Sequence, residues 1–181
     1  MRLNTLVTGG ARSGKSSFAQ ELALKSPQPV LFVATAFPGD DEMRQRIEKH
    51  RQDRPPGWRT LEATHRIGEQ VAQSRANEPT VVIDCITLLV SNVLLACPPG
   101  TGDAAMEAGV MAEVAGITDC MKQTAAGFII VTNEVGLGLV PADPVSRLYR
   151  DLLGKANQAL CREADQVFFM VSGVPLKIKP R

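Results

Sequence analysis

Gly9-Gly10-Ala11-Arg12-Ser13-Gly14-Lys15-Ser16 satisfies the pattern G-x-x-x-x-G-K-[ST]. Few short patterns restrict a fold as tightly. The glycines let backbone N–H groups turn inward around a phosphate, and the following helix must present its positive amino-terminal end to that anion. Lys15 is then set to reach the β- and γ-phosphates, and Ser16 to hold Mg²⁺. Such a loop works only between a strand that leads in and a helix that leads out. Both are present: residues 3–8 (LNTLVT) read as a strand and residues 16–25 as a helix.

The rest of the chain continues the alternation. Apolar runs at 30–34, 80–84, 128–132 and 167–171 read as strands, with a short extended segment at 58–62. Helices are expected at 41–54, 65–75, 87–96, 104–125 and from Pro144 to about 164, the last with Asp143 as N-cap and Pro144 at its first position. Continuous apolar strands between helices argue for an α/β layer fold with a mostly parallel sheet. Residues 172–175 are too few for a crossover, so the strands at 167–171 and 176–179 form an antiparallel hairpin. At 181 residues, and with no linker in sight, the expectation is one nucleotide-binding catalytic domain over 1–181.

Composition removes several classes. Twenty Lys and Arg against 19 Asp and Glu leave a net charge of +1, which gives no excess for a nucleic-acid-binding face. The longest apolar stretch, 88–97, is interrupted by Ser91 and Asn92 and is too short for a transmembrane segment. Cys85, Cys97, Cys120 and Cys161 form no C-x-x-C pair, so they read as small hydrophobes in a reducing compartment and not as a zinc site. With no signal-peptide architecture at the start, a cytoplasmic location is expected.

A phosphate loop that works with a metal needs a second protein ligand, a carboxylate. Asp84, ending the strand 80–84 (TVVID), supplies it and is expected near Mg²⁺ with Ser16. The near-zero net charge also conceals a local imbalance. Arg44, Arg46, Lys49, Arg51, Arg54 and Arg59 face only Glu48 and Asp53, an excess of four positive charges. The segment reads either as a solvated helix face or as cations for a triphosphate. His50 lies within it, on the helical face of Met43 and Ile47, and its basic neighbours favour a neutral imidazole able to attack phosphorus. His65 has no such setting. Asn133, Glu134, Gly136 and Gly138 follow the strand at 128–132, where ligands of open α/β sheets bind, and are expected to touch substrate or nucleotide.

Taken together, VTGGARSGKS (7–16), FVATA (32–36), DDEMRQRIEKHRQDRP (40–55), WRTLE (58–62), VVIDCIT (81–87), VTNEVGLGLVP (131–141) and VSGVPLKIK (171–179) span nearly the whole chain. In this order they resemble the bifunctional adenosylcobinamide kinase/adenosylcobinamide-phosphate guanylyltransferase family of cobalamin biosynthesis. The resemblance implies a RecA-like P-loop fold and a homotrimer. It implies transfer of a phosphoryl group from ATP or GTP to adenosylcobinamide, then of GMP from GTP to adenosylcobinamide phosphate, yielding adenosylcobinamide-GDP and pyrophosphate. A guanylylated histidine carries the second step, and the matching residue is His50. Nucleotide contacts map onto Gly9, Gly10, Ala11, Arg12, Ser13, Gly14, Lys15 and Ser16, onto Ala34, Thr35 and Ala36, and onto Arg51, Gln52, Asp53, Arg54, Glu62 and Asp84. Some relatives carry two adjacent histidines where this chain has Lys49-His50, which leaves one candidate nucleophile here.

Two other readings keep the P-loop. A regulatory GTPase would carry D-x-x-G and N-K-x-D after Asp84, and neither is found. A single-activity small-molecule kinase would leave His50 inert.

Overall fold

The computed structural model describes residues 3–37, 39, 41–52 and 54–180, except for the side chains at 42, 43, 46, 49 and 50. The elements run β1 (Thr5–Gly9), α1 (Lys15–Leu24), β2 (Val30–Ala34), α2 (Asp41–Gln52), β3 (Arg59–Glu62), α3 (Ile67–Ser74) and β4 (Thr80–Asp84). They continue as α4 (Ile86–Ala96), α5 (Asp103–Gln123), β5 (Gly127–Val131), α6 (Pro144–Glu163), β6 (Gln166–Val171) and β7 (Val174–Lys179). The strands form one seven-stranded sheet in the order β3-β2-β4-β5-β1-β6-β7. All pairings are parallel except β6 with β7.

Period-two alternation divides the strand side chains between two cores. Leu31, Val33, Val81, Ile83, Phe128 and Ile130 pack with residues of α3 to α6 on one face. Val7, Phe32, Val82, Ile129 and Val131 pack on the other face with Ala19 and Ala23 of α1. The result is a three-layer arrangement, in keeping with the expected α/β layer fold. Close helix packing on the first face depends on Gly68 in α3, where a Cβ would lie 2.0 Å from the carbonyl oxygen of Gly116 in α5.

Element ends differ from the sequence reading by a residue or two, as fraying and capping allow. The last hairpin is tighter than expected. Its connection is not 172–175 but the two residues Ser172 (φ 50°) and Gly173 (φ 86°), both left-handed. Two successive positive φ angles match the sense of strand twist and permit the tightest hairpin loop. Pro175 is thereby placed in the edge strand β7, where a missing N–H is tolerated. At the start of α6, the Asp143 carboxylate accepts a hydrogen bond from the Ser146 N–H at 2.8 Å, as an N-cap should.

Candidate active site at the carboxyl edge of the sheet

The strand registers align Glu62, Ala34, Asp84, Val131 and Val7 as neighbours along one edge of the sheet. Because these strands are parallel, their carboxyl ends and outgoing loops converge there. The P-loop leaves β1 at this edge. Asp84 lies two strands away, with β5 between them.

The P-loop conformation follows from its glycines and its support. Gly9 has φ +147° and Gly14 has φ +93°, angles open to glycine and strained for other residues. Arg12 also takes a positive φ of 54°. A Cβ on Gly9 would approach the Met170 carbonyl oxygen to 2.5 Å, and one on Gly14 would approach the Gly173 Cα to 3.3 Å. The Gly173 N–H donates to the Ser13 carbonyl at 3.0 Å, so the β6–β7 turn braces the loop from behind. Gly14 and Lys15 open α1, so the amino-terminal end of the helix faces the loop. The Lys15 ammonium is buried at 7% exposure and donates to the Gly10 carbonyl at 2.6 Å. Within the same loop the Ser13 hydroxyl is buried without a partner among the described residues. A buried orphan hydroxyl beside a nest of N–H groups suits an anion that would fill the loop.

Asn133 and Glu134 enter this edge from β5, between the P-loop and Asp84. The Glu134 N–H donates to the Gly9 carbonyl at 3.0 Å, and the Asn133 N–H to the Thr87 hydroxyl at 2.8 Å. Asn157 of α6 secures the segment from below. It accepts from the Thr132 hydroxyl at 2.7 Å and donates to the Asn133 carbonyl at 3.0 Å. Sequence reasoning missed Thr87, Asn157 and the Ser172–Gly173 brace. Only tertiary contact reveals the roles of the first two, whereas the Ser-Gly pair before an edge strand was a readable turn signal.

Ala34, Thr35 and Ala36 follow β2 onto the same edge. Thr35 is fully buried, and its hydroxyl donates to the Cys85 carbonyl at 2.7 Å while accepting from the Cys85 N–H at 2.7 Å. Asn92 of α4 donates to the Thr35 carbonyl at 2.8 Å. The Thr35 side chain thus fixes the backbone after Asp84. Burial, and to a lesser degree the charge of Asp84, push the Cys85 thiol up to about 11.

The basic segment divides. Arg59 begins β3 at the opposite end of the strand. Its guanidinium donates to Glu78 at 2.6 Å and to the Ser74 hydroxyl and carbonyl at 3.0 and 2.6 Å. It therefore ties β3 to α3 and stands apart from the carboxyl edge of the sheet. Arg51 and Arg54 do reach that edge. Arg51 meets Glu62 at 3.7 Å. Arg54 lies 4.2 Å over the Phe32 ring and donates to the Thr60 hydroxyl at 3.0 Å. Burial draws the Arg54 guanidinium below its ordinary value, helped by Arg51 and opposed by Asp84 and Glu62. Both carboxylates therefore act on this one cation.

The backbone of α2 carries position 50 next to Arg51, so the last turn of the helix stands beside Glu62. The side chains of Met43 and His50, and all of Asp53, lie outside the described residues, and Ile47 is half-buried. Gln52 donates to Glu48 at 3.0 Å on the exposed side. His65 is exposed, with its ring Nδ1 3.2 Å from the Thr64 hydroxyl. A cavity of about 370 Å³ lies at the other, amino-terminal edge, bordered by Leu3, Leu22, Lys25, Pro79 and Gln166, away from every candidate catalytic group. Among the described residues, no helix is long and apolar enough to cross a membrane.

Known proteins resemble this chain at two levels. A RadB recombinase superposes with a TM-score of 0.50 at 16% identity, over 92% of this chain and 73% of its own. A Pyrococcus horikoshii OT3 protein does so with a TM-score of 0.55 at 11% identity, over 99% and 88%. Both likenesses are in fold alone, and they agree with the RecA-like P-loop architecture. Sequence similarity goes further. The bifunctional adenosylcobalamin biosynthesis protein CobU of Salmonella typhimurium (strain LT2) is 40% identical over 179 residues, 96% of this chain and 98% of its own. CobU of Escherichia coli (strain K12) is 41% identical over the same shares. The bifunctional protein CobP of Pseudomonas aeruginosa (strain PAO1) is 37% identical over 177 residues, 98% of each chain. The family model described as cobinamide kinase / cobinamide phosphate guanyltransferase matches residues 5–178. With a whole-length family match and relatives this similar, the chain belongs to the CobU family of cobinamide kinases and cobinamide phosphate guanyltransferases.

Proposed function

We propose that this chain phosphorylates adenosylcobinamide with ATP or GTP and then transfers GMP from GTP to the product through a guanylylated His50. The observation that carries the proposal is the shared edge. The P-loop, Asp84 and the α2 turn bearing position 50 border the carboxyl ends of the same parallel strands, and Arg54, seated over Phe32 of β2, is near enough to feel the charges of Asp84 and Glu62.

In the phosphoryl step, the Gly9–Ser16 loop holds the triphosphate by its N–H groups. Lys15 exchanges the Gly10 carbonyl for the β- and γ-phosphates, and Arg12 adds positive charge. The donor set suits Mg²⁺, which needs only one or two protein oxygens beside phosphate and water, and Ser16 with Asp84 would provide them. Such an ion, when bound, neutralises charge building on the phosphate oxygens. Arg51, Arg54 and Glu62 line the nucleotide beyond the P-loop, with the backbone at Ala34, Thr35 and Ala36 below. Gln52 and Asp53 complete the contacts carried over from the family.

In the guanylyl step, a neutral His50 nitrogen attacks the α-phosphorus of GTP. A P–N bond forms, the bond to the bridging oxygen breaks, and pyrophosphate leaves with that electron pair. A phosphate oxygen of adenosylcobinamide phosphate then attacks the same phosphorus. The P–N bond breaks and returns its pair to the imidazole. The full chain acts as one catalytic domain, assembles as a homotrimer and works in the cytoplasm.

His50→Ala separates the two halves. Guanylyl transfer should fall below about one-thousandth of wild type, as expected for loss of a nucleophile, while phosphorylation of adenosylcobinamide persists. Equal loss of both activities in a folded variant contradicts the assignment.

A further inference from the structure

The loop that follows β5 joins the P-loop directly and displays apolar side chains that the nucleotide chemistry does not use. Near its start it is tied to β1 by the Thr132 N–H, which donates to the Val7 carbonyl, and by the Glu134 N–H, which donates to that of Gly9. Its far end is held by Arg147, which donates to the carbonyls of Pro141 and Ala142 at 3.0 and 2.6 Å. Between these anchors Leu137 and Leu139 are 79% and 96% exposed, with Val140 at 66%. Gly136 and Gly138 flank Leu137; the Gly136 N–H donates to the Glu134 carboxylate at 2.6 Å, and Gly138 is exposed. Two leucines this exposed, separated by one glycine in a loop anchored at both ends, are the kind of apolar surface that recognition sites use.

We propose that Leu137 and Leu139 form the platform on which the corrin ring of the acceptor rests. The inference depends on the proposed function and adds where the acceptor binds. The hydroxyl to be phosphorylated must meet the terminal phosphate in line, so the ring that carries it has to lie beside the P-loop. A corrin periphery is uncharged and fringed with methyl groups and carboxamides. The methyl groups suit leucine side chains, and the carboxamides suit the exposed backbone at Gly138. The other exposed apolar stripe, Val174, Leu176 and Ile178, lies on the antiparallel strand β7 and runs from the P-loop side toward the opposite edge of the sheet.

The test is steady-state phosphorylation of adenosylcobinamide by the full chain and by a Leu137→Ser/Leu139→Ser variant at saturating nucleotide. Removing two partly covered leucines should raise KM for adenosylcobinamide roughly tenfold, with KM for nucleotide and kcat within about twofold of wild type. A Leu137→Met/Leu139→Met variant should return KM to near the wild-type value. The proposal is overturned if the serine variant leaves the acceptor KM unmoved or raises both KM values alike. It is also overturned if sedimentation shows that the serine variant dissociates, which makes the loop an interface between copies. Wild-type protein that does not turn over adenosylcobinamide at all overturns the proposed function as well. Turnover with an unmoved acceptor KM overturns the platform alone.

Discussion

Replacing Gly9 by alanine tests whether the P-loop is held in shape by its surroundings. The new Cβ would lie 2.5 Å from the Met170 carbonyl oxygen and 2.9 Å from the Ser13 hydroxyl, at a φ of +147°. The backbone conformation alone costs a non-glycine residue about 1–3 kcal/mol. The Met170 carbonyl cannot retreat freely, because Gly9 and Met170 are paired in the β1–β6 ladder. Forcing a methyl group into such a contact costs about 1–3 kcal/mol more. The expected total is about 4 kcal/mol, or a fall in Tm of roughly 8–16 °C for a chain of this size. Gly10→Ala is the control, since a Cβ there meets nothing within 4 Å. Urea denaturation of both variants gives the difference, and calorimetric titration with Mg-GTP reports the loop itself. Gly9→Ala should lose both stability and nucleotide affinity, while Gly10→Ala should keep its stability. A Gly9→Ala protein within about 1 kcal/mol of Gly10→Ala would refute this reasoning.

Two further outcomes follow from the electrostatics. The Glu78 side chain is 6% exposed, accepts from Arg59 at 2.6 Å and from the Ala76 N–H at 2.8 Å, and its carboxyl is held below the ordinary range chiefly by the Arg59 bond. Its stabilising effect is complete above the unfolded carboxyl value of about 4.3 and disappears as pH falls through the lowered folded value. Glu78→Gln should therefore cost about 2 kcal/mol in urea denaturation at pH 7, with the gap closing below about pH 4. A gap independent of pH contradicts this. For Cys85, a thiol raised to about 11 leaves roughly one part in a thousand as thiolate at pH 8. Peptide mapping after brief iodoacetamide treatment should find Cys85 unmodified in native protein and modified in urea. Rapid native labelling contradicts that.

Local signals were the legible ones. The P-loop announces itself because its glycines, its lysine and its flanking strand and helix are contiguous. Asp143-Pro144 marks the start of α6 for the same reason. Asp84 was readable as the end of an apolar run, but its separation from the P-loop by the intervening β5 was not, because strand order is fixed by nonlocal pairing. Thr35 illustrates the limit more sharply. The family resemblance set it in a segment expected to face nucleotide, yet its hydroxyl is committed to both sides of the Cys85 backbone, a contact spanning 50 positions in sequence. Arg59 looked like one more cation in a basic run. It belongs instead to Glu78 and Ser74, because β3 carries it to the far end of the sheet. A charge run describes composition along the chain, whereas a phosphate site depends on which of those charges the fold returns to one edge.

The covalent role of His50 is the claim on which the two-step chemistry rests, and one labelling experiment addresses it. The protein is incubated with GTP labelled at the α-phosphate, denatured, and mapped for retained label. Label on the peptide containing His50, labile to acid, stable to base, and absent from His50→Ala, is the result expected of a guanylyl-histidine. Wild-type protein that transfers GMP to adenosylcobinamide phosphate while never retaining label would contradict it, as would a His50→Ala protein that labels as well as wild type.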